Sequence, residues 1–442
     1  MKRHNLVAIC LVLSFSWTAA PAQGQAETDR PNFVLVYGEG AGWVSTSVQL
    51  DGTDPNSKSA FIETPNLERL AARGLTFSRG YAPSPRCTPS RAGLVTGKSP
   101  GLLRMTYISA TGTEGRDDEL AASRPLLPPP PVMELPPQET TYAELLQQAG
   151  YGTAHFGKWH LGRADPTTHG FDESDGANNN SAPDGARAAN PKEMFATAEM
   201  GVDFMRRQVA AGRPFLLQVS HYPDRINRSM PEEMVAAARD MDTAFGQLLD
   251  ALDELDVADN TYVIFTTDHG TQGQGGNGPL SNGKGSVLEG GLRVPFIVSG
   301  PAVRSAEWSG TPVTALDIFP TIAELSGNKQ KISADVEGGS LAAVLRDENG
   351  NVVRSREEIV FHFPHYDLRN AGPATAMLLG DYKLVKNYET GEPLLYDLSV
   401  DPGEANDLAS AMPDLVAEMD RKLVTYLKDI DAQMPRQNPD YH

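Results

Sequence analysis

The chain has 442 residues, 40% hydrophobic and 21% charged, with 41 Gly, 33 Pro and two Cys. That length supports one large packed domain, alone or with a small companion, and the composition excludes a collagen-like or low-complexity chain. With 38 basic against 57 acidic residues the net charge is −19, which excludes nucleic acid as a partner held through a broad basic face.

The chain opens on basic Met1-Lys2-Arg3-His4-Asn5, followed by an apolar run over residues 6–20. Small residues follow at Ala20-Pro21-Ala22 and again at Gly24-Gln25-Ala26. This pattern predicts a signal peptide over 1–22, with cleavage as late as 26 as the alternative. The run is shorter than the roughly 20 residues needed to span a bilayer. The expected mature protein is therefore exported, periplasmic or secreted, with no stable membrane insertion. Cleavage removes Lys2 and Arg3, leaving 36 basic against 57 acidic residues, a net charge of −21. It also removes Cys10 and leaves Cys87 alone. Exported proteins normally pair their cysteines, so a single one is either an intermolecular partner or chemically special.

Three apolar runs then end abruptly in reactive residues. Asn32-Phe33-Val34-Leu35-Val36-Tyr37 meets Gly38-Glu39-Gly40, Phe215-Leu216-Leu217-Gln218-Val219-Ser220 meets His221, and Tyr262-Val263-Ile264-Phe265-Thr266-Thr267 meets Asp268-His269-Gly270. Continuous rather than alternating runs predict strands buried on both faces, hence a sheet covered by helices. Ligands of open α/β sheets bind beyond the strands' carboxyl ends, so the three ends should converge.

Helices are expected between the strands. Residues 66–73 form one, and Thr141 caps another that Gly150 stops. Ser229-Met230-Pro231-Glu232 reads as a capping box. From there Met234, Ala238, Met241, Phe245, Leu248, Leu252 and Leu255 form one apolar stripe. The proline-rich 125–137 segment predicts an exposed, extended excursion. From 354 the pattern changes to short strand-like pieces (358–363, 376–388, 394–397) and a last helix over 412–430. The expected organisation is a main domain over 27–353 and a smaller α+β unit over 354–442.

The stretch Cys87-Thr88-Pro89-Ser90-Arg91-Ala92-Gly93-Leu94-Val95-Thr96-Gly97 is the most informative. It is joined by Gly157-Lys158-Trp159-His160-Leu161-Gly162, His169-Gly170-Phe171-Asp172 and Gly283-Lys284-Gly285-Ser286. Further on come Glu289-Gly290-Gly291-Leu292-Arg293-Val294-Pro295-Phe296, Asp317-Ile318-Phe319-Pro320-Thr321, Gly380-Asp381-Tyr382-Lys383-Leu384, Leu395-Tyr396-Asp397-Leu398 and Asp401-Pro402. In order and spacing the chain resembles the type I, formylglycine-dependent sulfatases (the arylsulfatase family) of the alkaline-phosphatase-like superfamily. The resemblance implies an α/β fold with a large mixed sheet sandwiched by helices and a smaller C-terminal α+β subdomain. It also implies a sulfuric ester hydrolase.

In that family the cysteine equivalent to Cys87 is oxidised to formylglycine by a maturation enzyme. The hydrated aldehyde offers two hydroxyls: one attacks sulfur, and the other, once deprotonated, expels sulfate and restores the aldehyde. This implication explains a lone cysteine without a partner. Fixed positive charge must meet the nonbridging oxygens, and Arg91, Lys158 and Lys284 match the family positions for it. His160, beside the hydrate, and His221, near the leaving oxygen, match the positions that handle protons. A bound Ca²⁺ is implied, with Glu39, Asp268, His269 and the formylglycine oxygen of residue 87 as ligands.

The sequence departs from the family at the first metal loop, where adjacent aspartates are replaced by Glu39-Gly40, and Gly40 supplies no side chain. This opens a rival reading, a secreted homologue that binds sulfated ligands without turnover, against which the intact Cys87 signature argues. A phosphonate or phosphodiester hydrolase of the same superfamily is the other rival. The resemblance points to a sulfated saccharide as substrate. Phe361-His362-Phe363-Pro364-His365-Tyr366 either lines the pocket mouth or packs between domains.

Overall fold

The computed structural model describes residues 30–108, 123–178, 194–222, 231–272, 276–328, 330, 332–367 and 372–441. The expected leader with Cys10, and the Ser229 cap, lie outside them.

Eight strands form one mixed sheet. Its order is Glu307–Ser309, Gly74–Phe77, Phe296–Ser299, Thr261–Thr267, Asn32–Gly38, Phe215–Ser220, Gly152–Gly157 and Glu173–Ser174. Asn32–Gly38 runs parallel to both neighbours, with Val34 level with Leu217 and Val263. Phe296–Ser299 is antiparallel to both of its own. Successive residues of the central strands enter opposite cores, as the two-residue period of a strand requires. Phe33, Leu35, Tyr37, Tyr262 and Ile264 join one cluster; Val34, Val36, Val263 and Phe265 join the other.

Helices Pro65–Ala72, Met194–Ala210 and Pro231–Glu254 cover the second face. The expected stripe on the last of these is buried at Ala238, Met241, Phe245, Leu248 and Leu252, each large side chain contributing ~1.5–3 kcal/mol by burial. Cys87–Thr96, Tyr142–Gln148, Ile318–Leu325 and Ala342–Arg346 cover the first face. Thr141 caps its helix as a full capping box with Glu144.

Toward the C-terminus, Ile359–Phe363, Ala374–Leu379, Tyr382–Asn387 and Pro393–Asp397 make an antiparallel sheet in that order. Helix Pro413–Asp429 covers one face through Met419, Leu423, Tyr426 and Leu427. The other face lays Phe361, Phe363, Ala376 and Val385 against Tyr81, Val287 and Leu292 of the larger unit.

Two expectations are corrected. The 376–388 piece is a hairpin, because Gly380 takes φ 60° and turns the chain between two strands whose apolar residues read as one run. The 125–137 segment is not an exposed excursion. Leu126 and Leu135 are buried, Leu126–Leu127 pairs with Arg436–Gln437, and the Val132 and Leu135 N–H groups donate to Arg104 and Leu161 carbonyls. Its prolines lack N–H groups, but the intervening residues supply enough donors to bind it to the body.

Candidate active site

The parallel strands Thr261–Thr267, Asn32–Gly38 and Phe215–Ser220 are adjacent, so Asp268, Glu39 and His221 emerge side by side at their carboxyl ends. Cys87 comes from a different element, as the first residue of helix Cys87–Thr96. The local sequence explains that helix. Ser90 Oγ donates to the Ser84 carbonyl at 2.7 Å and accepts the Ser84 N–H at 3.1 Å, fixing the turn that enters it. Pro89 sits in the first turn, where an N–H has no helical partner. Gly97 closes the helix with φ 68°, the left-handed conformation glycine tolerates.

Glu39 is the hub of the site. Its Oε2 lies 2.7 Å from Lys158 Nζ and 3.2 Å from Arg91 Nη2; its Oε1 lies 3.3 Å from Lys284 Nζ. Cys87 Sγ stands 3.1 Å from Glu39 Oε1 and 3.2 Å from His269 Nε2. Arg91 also donates through Nε (3.2 Å) and Nη2 (3.0 Å) to Asp268 Oδ2, and through Nη1 to the Lys158 carbonyl at 2.6 Å. The Lys158 N–H in turn donates to the Ser220 carbonyl.

His160 is buried with a left-handed φ of 59°. Thr88, next to Cys87, donates its hydroxyl to the His160 carbonyl at 3.0 Å, which ties His160 to the helix start. His221 is buried, and neither ring nitrogen has a hydrogen-bond partner among the described residues. Of the nine residues singled out in the sequence, seven are thus joined by direct contacts, and the two histidines flank them.

This density of charge moves the ionisations. Burial opposes the charged form of Glu39, yet Lys158, Lys284 and His269 hold its carboxyl well below the usual range. Burial and Glu39 push the Cys87 thiol up, but Lys158, Lys284 and His269 outweigh them and bring it down to about 5. Its place at a helix N-terminus acts in the same direction. Burial and Glu39 raise Asp268 to about 7. Burial lowers His269, but Asp268 reverses this and takes it to about 9. Burial alone lowers His221 to about 4.

Glu39, Cys87, Asp268 and His269 each aim one donor atom at a common point, all within 4.8 Å of one another and all buried. His269 Nδ1 faces the Gly270 carbonyl at 2.8 Å, so that nitrogen carries a proton, and Nε2 is the one turned toward the cluster. Two carboxylates and an imidazole suit a divalent cation, with Cys87 Sγ as the fourth atom of the group. Gly40 gives no side chain; its N–H donates to Asp268 Oδ1 at 3.0 Å and orients that carboxylate.

The sequence did not single out the supports of this cluster. Tyr222 places its ring 4.4 Å from Lys158 Nζ, and Tyr37 places its ring 5.2 Å from the Arg91 guanidinium. Both sit at strand ends already noted, which was the available signal. Arg86, immediately before Cys87, pairs with buried Asp367, and nothing in either neighbourhood announced that contact. The His362 ring bonds to the Thr375 hydroxyl and the Gln433 carbonyl, and that of His365 to the Thr106 hydroxyl, and both rings are buried.

Residues 31–328 match the family model described as Sulfatase, and residues 283–431 match that described as N-sulphoglucosamine sulphohydrolase, C-terminal. An N-acetylgalactosamine-6-sulfatase of Canis lupus familiaris is 32% identical over 365 residues, which cover 72% of this chain and 66% of that protein. The crystal structure of Ps i-CgsB in complex with k-i-k-neocarrahexaose superposes with a TM-score of 0.73 at 24% identity, covering 93% of this chain and 94% of that one. A protein solved in complex with its substrate D-glucosamine-2-N,6-O-disulfate gives a TM-score of 0.66 at 19% identity, covering 91% and 99%.

Proposed function

Since this chain belongs to the sulfatase family of sulfuric ester hydrolases, we propose that it is an exported enzyme that hydrolyses sulfate monoesters of a sulfated carbohydrate. The reaction converts the ester and water into an alcohol and hydrogen sulfate. The observation that carries this reading is the convergence of Arg91, Lys158 and Lys284 on buried Glu39, whose carboxylate also contacts residue 87. Formylglycine derived from Cys87 supplies, once hydrated, the hydroxyl nucleophile that a thiol is not for a sulfate ester. Glu39, Asp268, His269 and residue 87 hold the divalent cation, Ca²⁺ in this reading, which polarises oxygen when bound.

The chain's own residues do the rest. Lys158 and Lys284 place fixed charge where the nonbridging sulfate oxygens come to rest, in a site that burial keeps free of competing water. Arg91, with its donors committed to Asp268, Glu39 and the Lys158 carbonyl, keeps those groups aligned. His221, whose ring nitrogens have no hydrogen-bond partner among the described residues, is available to the leaving-group oxygen, and His160 handles protons at residue 87. The saccharide assignment draws support from the dog relative and from the two saccharide complexes.

The test is turnover of an aryl sulfate against a phosphodiester, on protein whose residue 87 has been identified by peptide mass. Sulfate release is expected. Absence of turnover in both, with formylglycine confirmed, refutes an enzymatic role. A panel of sulfated sugars then checks the substrate class.

A further inference from the structure

Two segments noted in the sequence, 380–384 and 401–402, take no part in the sulfate cradle, yet the residues around them hold a buried ionic cluster. Lys383 is fully buried in the C-terminal sheet, with its Nζ 2.8 Å from Glu289 Oε1 and 2.8 Å from Glu404 Oε1. Glu289 Oε2 accepts the Tyr81 hydroxyl at 3.0 Å. Glu404 Oε2 accepts the Glu289 N–H at 2.7 Å and also the Ser281 hydroxyl. Buried ion clusters add little net stability over apolar packing, so a cluster of this kind is better read for what it positions.

Ser281 and Glu289 are the two ends of the loop that carries Lys284. The Gly290 N–H closes these ends on the Ser281 carbonyl at 2.8 Å. On the inner side, the Lys284 and Gly285 N–H groups donate to the Thr271 and Pro85 carbonyls, both at 2.9 Å. From there Lys284 Nζ reaches Glu39 Oε1 at 3.3 Å. The loop is therefore held from the large unit inside and from the C-terminal sheet outside, and Glu404 bonds both its ends at once.

We infer that Glu404 and Lys383 are positioning residues for Lys284: the C-terminal sheet sets where the sulfate-binding lysine stands. This rests on the reading of Lys284 as a sulfate ligand given above. A rotation of the loop by a small angle at Ser281 and Glu289 is magnified at the end of a lysine side chain, and catalytic geometry tolerates little of it.

The experiment is a double-mutant cycle. Glu404→Gln and, separately, Ser281→Ala are expected to lower kcat/KM for an aryl sulfate by about tenfold, the worth of a hydrogen bond to a charged group. The thermal stabilisation conferred by inorganic sulfate shrinks in parallel. In a Lys284→Ala background the same substitutions change neither quantity further, because the interaction they serve is already gone. Equal losses in both backgrounds overturn the inference, since they mark a purely structural role. Ser281→Ala leaves the Lys383 ion pairs intact and carries the cycle if Glu404→Gln does not fold. A chain that binds sulfate but turns over no ester refutes the proposed activity, while the sulfate-binding arm still decides this point.

Discussion

Replacing Lys158 with methionine separates the cradle's role in chemistry from its role in folding. Lys158 and Glu39 are each about 1% exposed and stand 2.7 Å apart. Truncating one member of an isolated buried pair costs ~3–5 kcal/mol. Glu39 is not isolated, because Arg91 at 3.2 Å and Lys284 at 3.3 Å remain. The expected loss of stability is therefore smaller, ~1–3 kcal/mol, the penalty of a hydrogen bond lost by a charged group that keeps other partners. Methionine preserves most of the side-chain volume over the Tyr222 ring. For catalysis, loss of one fixed cation facing the sulfate should lower kcat by ~10²–10³, as for an oxyanion-hole donor. The assay is aryl sulfate hydrolysis with denaturant unfolding alongside, on protein shown by mass to carry the same modification at residue 87. A kcat within fivefold of the parent refutes the cradle as drawn. A destabilisation near the full cost of an isolated pair would show that Arg91 and Lys284 do not compensate Glu39.

Other outcomes follow from the same geometry. His221→Asn should cost ~10²–10⁴ in kcat for sugar or alkyl sulfates, whose leaving oxygen needs a proton, and much less for nitrophenyl sulfate; equal losses on both substrates, measured by kcat, would remove His221 from proton transfer. Chelation should abolish turnover and lower the unfolding temperature, with Ca²⁺ restoring both, and Glu39→Gln should mimic the chelated state in activity and in calorimetry. Burial lowers His365 to about 3, so the unfolded chain takes up a proton there that the folded chain refuses. Stability from this residue is present above the unfolded pKa of about 6.5 and is lost as pH falls toward about 3, at ~1.4 kcal/mol per pH unit. His365→Gln should flatten the acid limb of unfolding free energy against pH by that slope.

Much of the site was legible because its residues fall at places where a physical pattern breaks. An apolar strand that ends in Glu39, His221 or Asp268 announces a functional carboxyl end, and three such ends must meet when the strands are parallel neighbours. Cys87 stood out as the one cysteine left after the expected leader. What stayed hidden depends on pairing across long stretches of chain. Arg86 with Asp367, and Lys383 with Glu289 and Glu404, are each ordinary charges in sequence, and only folding removes them from water together. The 125–137 segment was misread for a related reason. Proline marks an extended backbone but does not say whether that backbone lies in solvent or, as with Leu126 and Leu135, against the body.

The departure at Gly40 bears on the balance between cation and anion in the pocket. Arg91, Lys158 and Lys284 pair with Glu39 and Asp268, so three cationic side chains share two carboxylates. A second acidic side chain at position 40 would cancel that excess and strengthen the hold on a divalent cation. It would also weaken the field on an incoming sulfate ester by the same charge, in a place where burial leaves it little screened. Glycine shifts the balance the other way, toward the anion. Glu39, one methylene longer than aspartate, reaches Lys158 and Arg91 with one oxygen and Lys284 and residue 87 with the other. A single carboxylate thereby gathers all three cations beside residue 87. In a chain of net charge −19, such a local excess of cationic side chains is what the proposed sulfate cradle requires to attract an anion.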